Sequence, residues 1–132
     1  MANFYVSSAG DNTSPYDTWA KAADAELSAT ALADSADDRV YCHQETETIS
    51  VDTTYTLTGN PMVIGSNDLG NAPPQTEGTR TIDGSGTNGL DIIFAGTGFI
   101  RNHIFKSGVG ATAASVQFGC AGRLGRVHSG GP

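Results

Sequence analysis

The chain is predicted to be mainly β, a series of short strands that follows one helical stretch near the N-terminus. Three observations lead there. A hydrophobic content of 38% with 16% charged residues is too apolar and too weakly charged for a disordered chain, and 17 glycines fit a turn-rich β fold. β-Branched runs such as Arg39-Val40-Tyr41-Cys42-His43 and Met62-Val63-Ile64 recur between clusters of Gly, Asn, Asp and Pro. Helical patterning is confined to about residues 17–33. Strands of this length separated by such turns belong to a sandwich, a barrel or a wound solenoid. The 132 residues suffice for one domain.

Phe4-Tyr5-Val6 reads as an opening strand, and Gly10-Asp11-Asn12-Thr13-Ser14-Pro15 as a loop, since Gly, Asn and Asp tolerate left-handed backbone and Pro fixes φ. Asp17 or Thr18 can accept from the free N–H groups of a first helical turn, so a helix is expected from there to about residue 33. Its apolar stripe is narrow: Trp19, Ala23, Leu27 and Ala31 at i+4 spacing, with Ala22 and Leu32 beside it. Such a face suits a lid, with Trp19 as its buried plug, rather than a bundle member. Asp34-Ser35-Ala36-Asp37-Asp38 closes it.

Strand candidates then follow at 39–43, 54–58, 62–64, 80–83, 90–94, 99–105 and 115–118. Only Asp83-Gly84 and Asn88-Gly89 offer tight-hairpin chemistry, which favours a chain that winds in one direction over a meander. One-way winding predicts parallel pairing, with Val40, Ile64, Ile82, Ile92, Ile100, Ile104 and Val116 in one continuous interior. The strand series forms a domain over 1–119; residues 120–132 show no strand pattern and are expected to be an irregular basic tail.

Charge narrows the function classes. A net charge of −7 opposes nucleic-acid binding, which needs a basic face to displace counterions. All 14 acidic residues lie at or before Asp91, and only basic charges, Arg101, Lys106, Arg123 and Arg126, follow it. This asymmetry is either chance in a glycine-rich segment or a docking surface for an acidic neighbour. The first residues lack a basic segment followed by an apolar one, so no secretory signal is expected, and no run reaches the roughly 18 apolar residues of a membrane span. Synthesis as a soluble cytoplasmic product is expected. Cys42 and Cys120 have no metal spacing and read as two buried thiols rather than a bridge.

Recognisable chemistry is sparse. His43, Glu45 and Glu47 alternate, so on one extended strand they would share a face and resemble a zinc or hard-cation set. A solvated strand face is the preferred reading, because no fourth ligand is evident, and no metal or other cofactor is expected. Asp83 and Asp91 could form a carboxylate pair for glycoside cleavage, with Arg101 as the basic group a lyase would require. Asp83 before Gly84 is first a turn residue, however, and Asp91 sits between Leu90 and Ile92 as an outward polar position would. Gly84–Gly89 lacks the Lys-Ser/Thr ending of a phosphate loop, and no Gly-x-Ser-x-Gly element is present.

The order of elements carries a resemblance. Phe4-Tyr5-Val6-Ser7-Ser8, a Gly/Asp/Asn loop, Thr18-Trp19 opening an Ala-rich segment, then Asp37-Asp38-Arg39-Val40-Tyr41-Cys42-His43-Gln44-Glu45-Thr46 resembles the N-terminal cap of right-handed parallel β-helix proteins of the pectin-lyase-like class. With Asn71-Ala72-Pro73-Pro74, Thr79-Arg80-Thr81-Ile82 and Gly98–Gly108, residues 4 to 119 are similar to β-helix proteins of tailed bacteriophages. The resemblance implies a short right-handed parallel β-helix with one capping helix, in a non-enzymatic virion protein that decorates the capsid or contributes to a head or tail fibre. A tailspike-like module that binds or cleaves host-surface polysaccharide is the alternative. Implied partners are other virion proteins and copies of the chain, most naturally as a trimer, with no nucleic acid and no membrane. Such chains usually run through many more coils, so the end around Val116 and Phe118 is expected to be covered by assembly, with Arg101, Lys106, Arg123 and Arg126 docking it.

Overall fold

The computed structural model describes residues 2–108, 116–124 and 127–130, and for the last two segments their strand pairing. Among the described residues, ten strands and very little helix make the fold mainly β: β1 (Asn3–Val6), β2 (Arg39–His43), β3 (Thr46–Thr48), β4 (Thr53–Leu57), β5 (Met62–Ser66), β6 (Arg80–Asp83), β7 (Ile92–Arg101), β8 (His103–Lys106), β9 (Val116–Leu124) and β10 (Val127–Gly130). Every ladder between these strands is parallel. One sheet runs β1-β2-β5-β7-β4 with β9 also on β7, and a second runs β10-β8-β6-β3.

The registers reveal a repeat. Arg39 pairs with Met62, Met62 with Phe99 and Phe99 with Arg123, steps of 23, 37 and 24 residues. In the second sheet Arg80 pairs with His103 and His103 with Val127, steps of 23 and 24. A turn of chain therefore takes 23 or 24 residues, and the second turn is enlarged, chiefly by the loop 67–79. Besides its ladder with β9, β7 serves two others: Ile92–Gly96 pairs with β4, and Phe99–Arg101 pairs with β5. The bend between them falls at Gly96, where φ is +85° and a Cβ would lie 2.0 Å from the Leu57 carbonyl oxygen. Only glycine fits there. A single left-handed residue, Asn102 (φ 60°), then carries the chain from β7 into β8.

Alternation along each strand fills the interior. Phe4, Val40, Val63 and Ile100 stand in register across four strands and are buried. Tyr55 stacks on Phe94 at 5.0 Å, and Phe94 meets the edge of Phe105 at 4.7 Å. Ile82 lies opposite Phe105. Two of the expected interior positions shift by one. Ile64 is buried but lies outside this core, alongside Tyr41 beneath residues 74–77, while Val63 points inward. Ile104 is half-buried and Phe105 takes the interior place. Both errors reduce to the period of two, in which a one-residue slip exchanges the faces.

The helix expected over 17–33 is not continuous. A 3-10 turn at Trp19–Lys21, capped by the Thr18 hydroxyl, is followed by extended residues, and α1 covers only Glu26–Thr30. The reason is tertiary: the Ala23 N–H donates to the Tyr5 carbonyl and the Ser7 N–H to the Ala23 carbonyl, so Ala23 joins the edge of β1. Two backbone bonds outweigh the helix propensity of three alanines. Ala22 and Ala23 are buried as the stripe predicts, but from Glu26 onward the buried face is reversed, with Glu26, Ala29, Thr30 and Ala33 inside, and Leu27 and Leu32 exposed. Trp19 is half-buried, its ring at 4.7 Å to Tyr5 and its Nε1 donating to the Asn71 carbonyl at 2.7 Å. It clamps the 67–79 loop and is not a plug. The tail expected to be irregular from residue 120 is strand in its described part, since β9 continues to Leu124 and β10 follows.

Candidate functional site

The most unusual feature is a set of charged side chains buried in the interior. The same alternation that buries Ile82 and Phe105 turns Arg80 and His103, two residues earlier on β6 and β8, into the interior. Glu47 enters from β3, opposite Ile82, and Cys42 from β2. Glu26 enters from α1. Arg80 and His103 are 0% and 1% exposed and Glu26 is 1% exposed.

Arg80 organises the group. Its Nη2 donates to Glu47 Oε1 at 2.6 Å and its Nη1 to the His43 carbonyl at 3.2 Å. Its Nε lies 3.3 Å from Glu26 Oε1, and Glu45 Oε1 is 3.7 Å from Nη1. His103 is fixed at both ring nitrogens, with Nδ1 2.8 Å from the Arg101 carbonyl and Nε2 2.9 Å from Glu26 Oε1. Because the carbonyl only accepts, Nδ1 carries a proton, and a further proton lies in the hydrogen bond between Nε2 and Glu26 Oε1. The carboxylates also gather backbone donors, Glu26 N–H onto Glu47 Oε1 at 2.9 Å and Ser8 N–H onto Glu45 Oε1 at 2.8 Å.

Electrostatics separates the two deepest carboxyls. Burial alone would raise the Glu26 pKa, but His103 and Arg80 together hold it below the ordinary value. For Glu47 burial prevails and the carboxyl is pushed up, since Arg80 is its one cationic neighbour and the negative Glu26 is close. Burial works against the Arg80 charge, yet Glu26 and Glu47 keep it firmly protonated. Burial and the nearby Glu26 push the Cys42 thiol well up, so it stands as a neutral SH. Tyr55 is likewise pushed up by burial, and its hydroxyl has no hydrogen-bond partner.

The residues singled out from sequence fall in several places. His43, Glu45 and Glu47 do not share a strand face, because the chain turns between β2 and β3. His43 lies outside against Trp19 at 6.4 Å, while Glu47 bonds to Arg80. Asp83 accepts from the Ser85 N–H and hydroxyl at 2.9 and 2.5 Å, an Asx turn that holds its carboxyl below the usual value. Asp91 precedes β7, its N–H bound by Asp52 at 2.8 Å. Arg101 lies on the outer face, ion-paired to Glu77 at 2.6 Å. The three do not form one constellation: Asp83 is committed to a turn and Arg101 to the 67–79 loop. Lys106 is exposed opposite Asp83 on β8. Val116, Phe118 and Arg123 lie on β9 in register with Ile92, Phe94 and Phe99, and Arg126 is outside the described residues.

Glu26, Cys42 and His103 bring one ligand atom each within 4.8 Å of one another. Sequence reasoning missed Glu26, Arg80 and His103. A signal existed, since Arg80 and His103 precede two core residues by two positions in strands one repeat apart. A separate depression of about 320 Å³ on the outer face is lined by Tyr41, Ile64, Ser66, Glu77 and Arg101 among others. Among the described residues no helix is long and apolar enough to cross a membrane. Comparison with protein-family models, with curated proteins and with solved structures finds no match to this chain.

Proposed function

We propose that the chain is a non-enzymatic structural module of a bacteriophage particle, wound as a right-handed parallel β-helix with its N-terminal segment laid over the first turn. One observation carries the structural reading: the charged groups most suited to chemistry are sealed from solvent and bonded to one another. They tie α1 to the first, second and third turns of chain, which is a fastening role. The right hand is part of the proposal and is supported by a general preference, since crossovers between parallel strands are right-handed in about 98% of cases. The virion setting rests on the element order that resembles phage β-helix proteins, and with it come capsid or tail neighbours and a homotrimer. Arg101, already paired with Glu77, is a weaker docking group than Lys106.

Mass spectrometry of purified particles from a phage encoding the chain tests this reading. Stoichiometric presence in washed virions is expected, with a trimer by sedimentation of the purified protein. Absence from virions together with a monomer overturns it. The second reading, a glycan-binding module, is favoured by the outer depression, where Tyr41 adjoins the buried Ser66 hydroxyl that has no partner. Retention on immobilised host polysaccharide, lost in Tyr41→Ala, would select it.

A further inference from the structure

We propose that Glu26, Cys42 and His103 form a binding site for one zinc-class divalent metal ion, a structural clasp between α1, the first turn and the third turn of chain. Carboxylate, thiolate and imidazole make a donor set suited to zinc, and their ligand atoms already lie within 4.8 Å of one another. Metal–ligand distances of about 2.0–2.3 Å place tetrahedral ligand atoms about 3.3–3.8 Å apart. Closing the site therefore requires Nε2 and Oε1 to part from 2.9 Å and the sulfur to move in, shifts within the reach of side-chain rotation.

The His103 Nδ1–H is bound to the Arg101 carbonyl, which orients Nε2 toward Glu26 and Cys42, the arrangement that fixes metal-ligating histidines. The Tyr55 hydroxyl, buried, electrostatically coupled to Glu26 and Cys42 and without a partner, marks polar capacity for a water that would complete the coordination shell.

The charge balance also permits it. Three carboxyl groups, Glu26, Glu45 and Glu47, surround the single guanidinium of Arg80. A divalent ion enters as the proton held between Nε2 and Oε1 and the thiol proton leave to solvent; oxygen, nitrogen and sulfur lone pairs become the metal bonds, and the net charge is unchanged. Arg80 remains on Glu47. Because the residues are sealed, the ion would load as the chain folds.

The test uses the whole chain, stripped of metal with a chelator, and cobalt(II) as a spectroscopic probe. The expected result is one equivalent bound, with tetrahedral d–d bands and a thiolate-to-cobalt charge-transfer band, two protons released per ion, and displacement by zinc. Zinc at a hundredfold excess over its Kd should raise Tm by about 10 °C. Cys42→Ser, which conserves size and a donor, should fold and lose the charge-transfer band; Cys120→Ser should keep it. Folded wild-type protein without cobalt bands or a Tm response to zinc overturns the proposal. So do bands that survive Cys42→Ser and vanish in Cys120→Ser.

Discussion

Replacing Arg80 by methionine removes the cation around which three carboxylates are arranged, while keeping most of the side-chain volume. Glu47 then loses its 2.6 Å partner and keeps only the Glu26 N–H, while Glu26 retains His103. Breaking a buried ion pair by removing one partner costs about 3–5 kcal/mol, and since Glu26 is not orphaned we expect about 3–4 kcal/mol. For 132 residues the unfolding entropy sets about 3.6 °C per kcal/mol, so Tm should fall by about 11–14 °C. Urea unfolding followed by far-ultraviolet circular dichroism measures the loss, with an unchanged m-value marking an unchanged fold. Combined with Glu47→Gln, the double-mutant cycle should show a coupling of about 1.5–3 kcal/mol. A loss below about 1 kcal/mol, or strict additivity of the two substitutions, would refute the view that the cluster fastens the turns.

Phe94→Ala should cost about 3–5 kcal/mol, because the ring is buried between Tyr55 and Phe105; Trp19→Ala should cost only about 1–2.5 kcal/mol in the same urea assay. Equal losses would mean that Trp19 is the plug after all. Gly96→Ala should destabilise by about 2–4 kcal/mol, since a positive φ and the Leu57 carbonyl both exclude a Cβ; a melting curve unchanged from wild type would contradict the bend in β7. Asp38 accepts the Asp34 N–H and the Ala2 N–H on different oxygens, and these bonds hold its pKa down. Its contribution is therefore present above the unfolded-state value of about 3.9 and disappears as pH falls through the lower folded value. Asp38→Asn, with one accepting oxygen, should be less stable at neutral pH by about 1–2 kcal/mol. In thermal melts against pH the gap should close on acidification; a constant gap would assign the loss to something other than charge.

The strand content and the direction of winding were legible because turn chemistry and β-branched runs are local signals. Scarcity of hairpin dipeptides pointed to parallel pairing. Register was not legible for Ile64 and Ile104, each flanked by a residue as apolar as itself, Val63 and Phe105, so alternation had two solutions. The N-terminal helix failed because the Tyr5 carbonyl and the Ser7 N–H offer Ala23 backbone partners that no window of sequence contains. The charge cluster was hidden for a related reason. Arg80 and Glu26 look like surface residues until their partners, 54 and 77 positions away for Glu26, are brought alongside by the repeat. Alternation from Ile82 and Phe105 is the one clue that turns Arg80 and His103 inward.

The account stands on one-way parallel winding with steps of 23 or 24 residues and one enlarged step of 37, and cross-strand proton contacts in isotope-labelled protein measure that directly. The prediction is a chain of methyl contacts from Val40 to Val63 to Ile100, and ring contacts from Ile82 to Phe105 and from Phe94 to Tyr55. No close Hα–Hα pairs should join these strands, because directly opposed Hα atoms belong to antiparallel ladders. Strong Hα–Hα contacts between β5 and β7, or between β6 and β8, would contradict the winding and, with it, the placement of Arg80 and His103 in one interior.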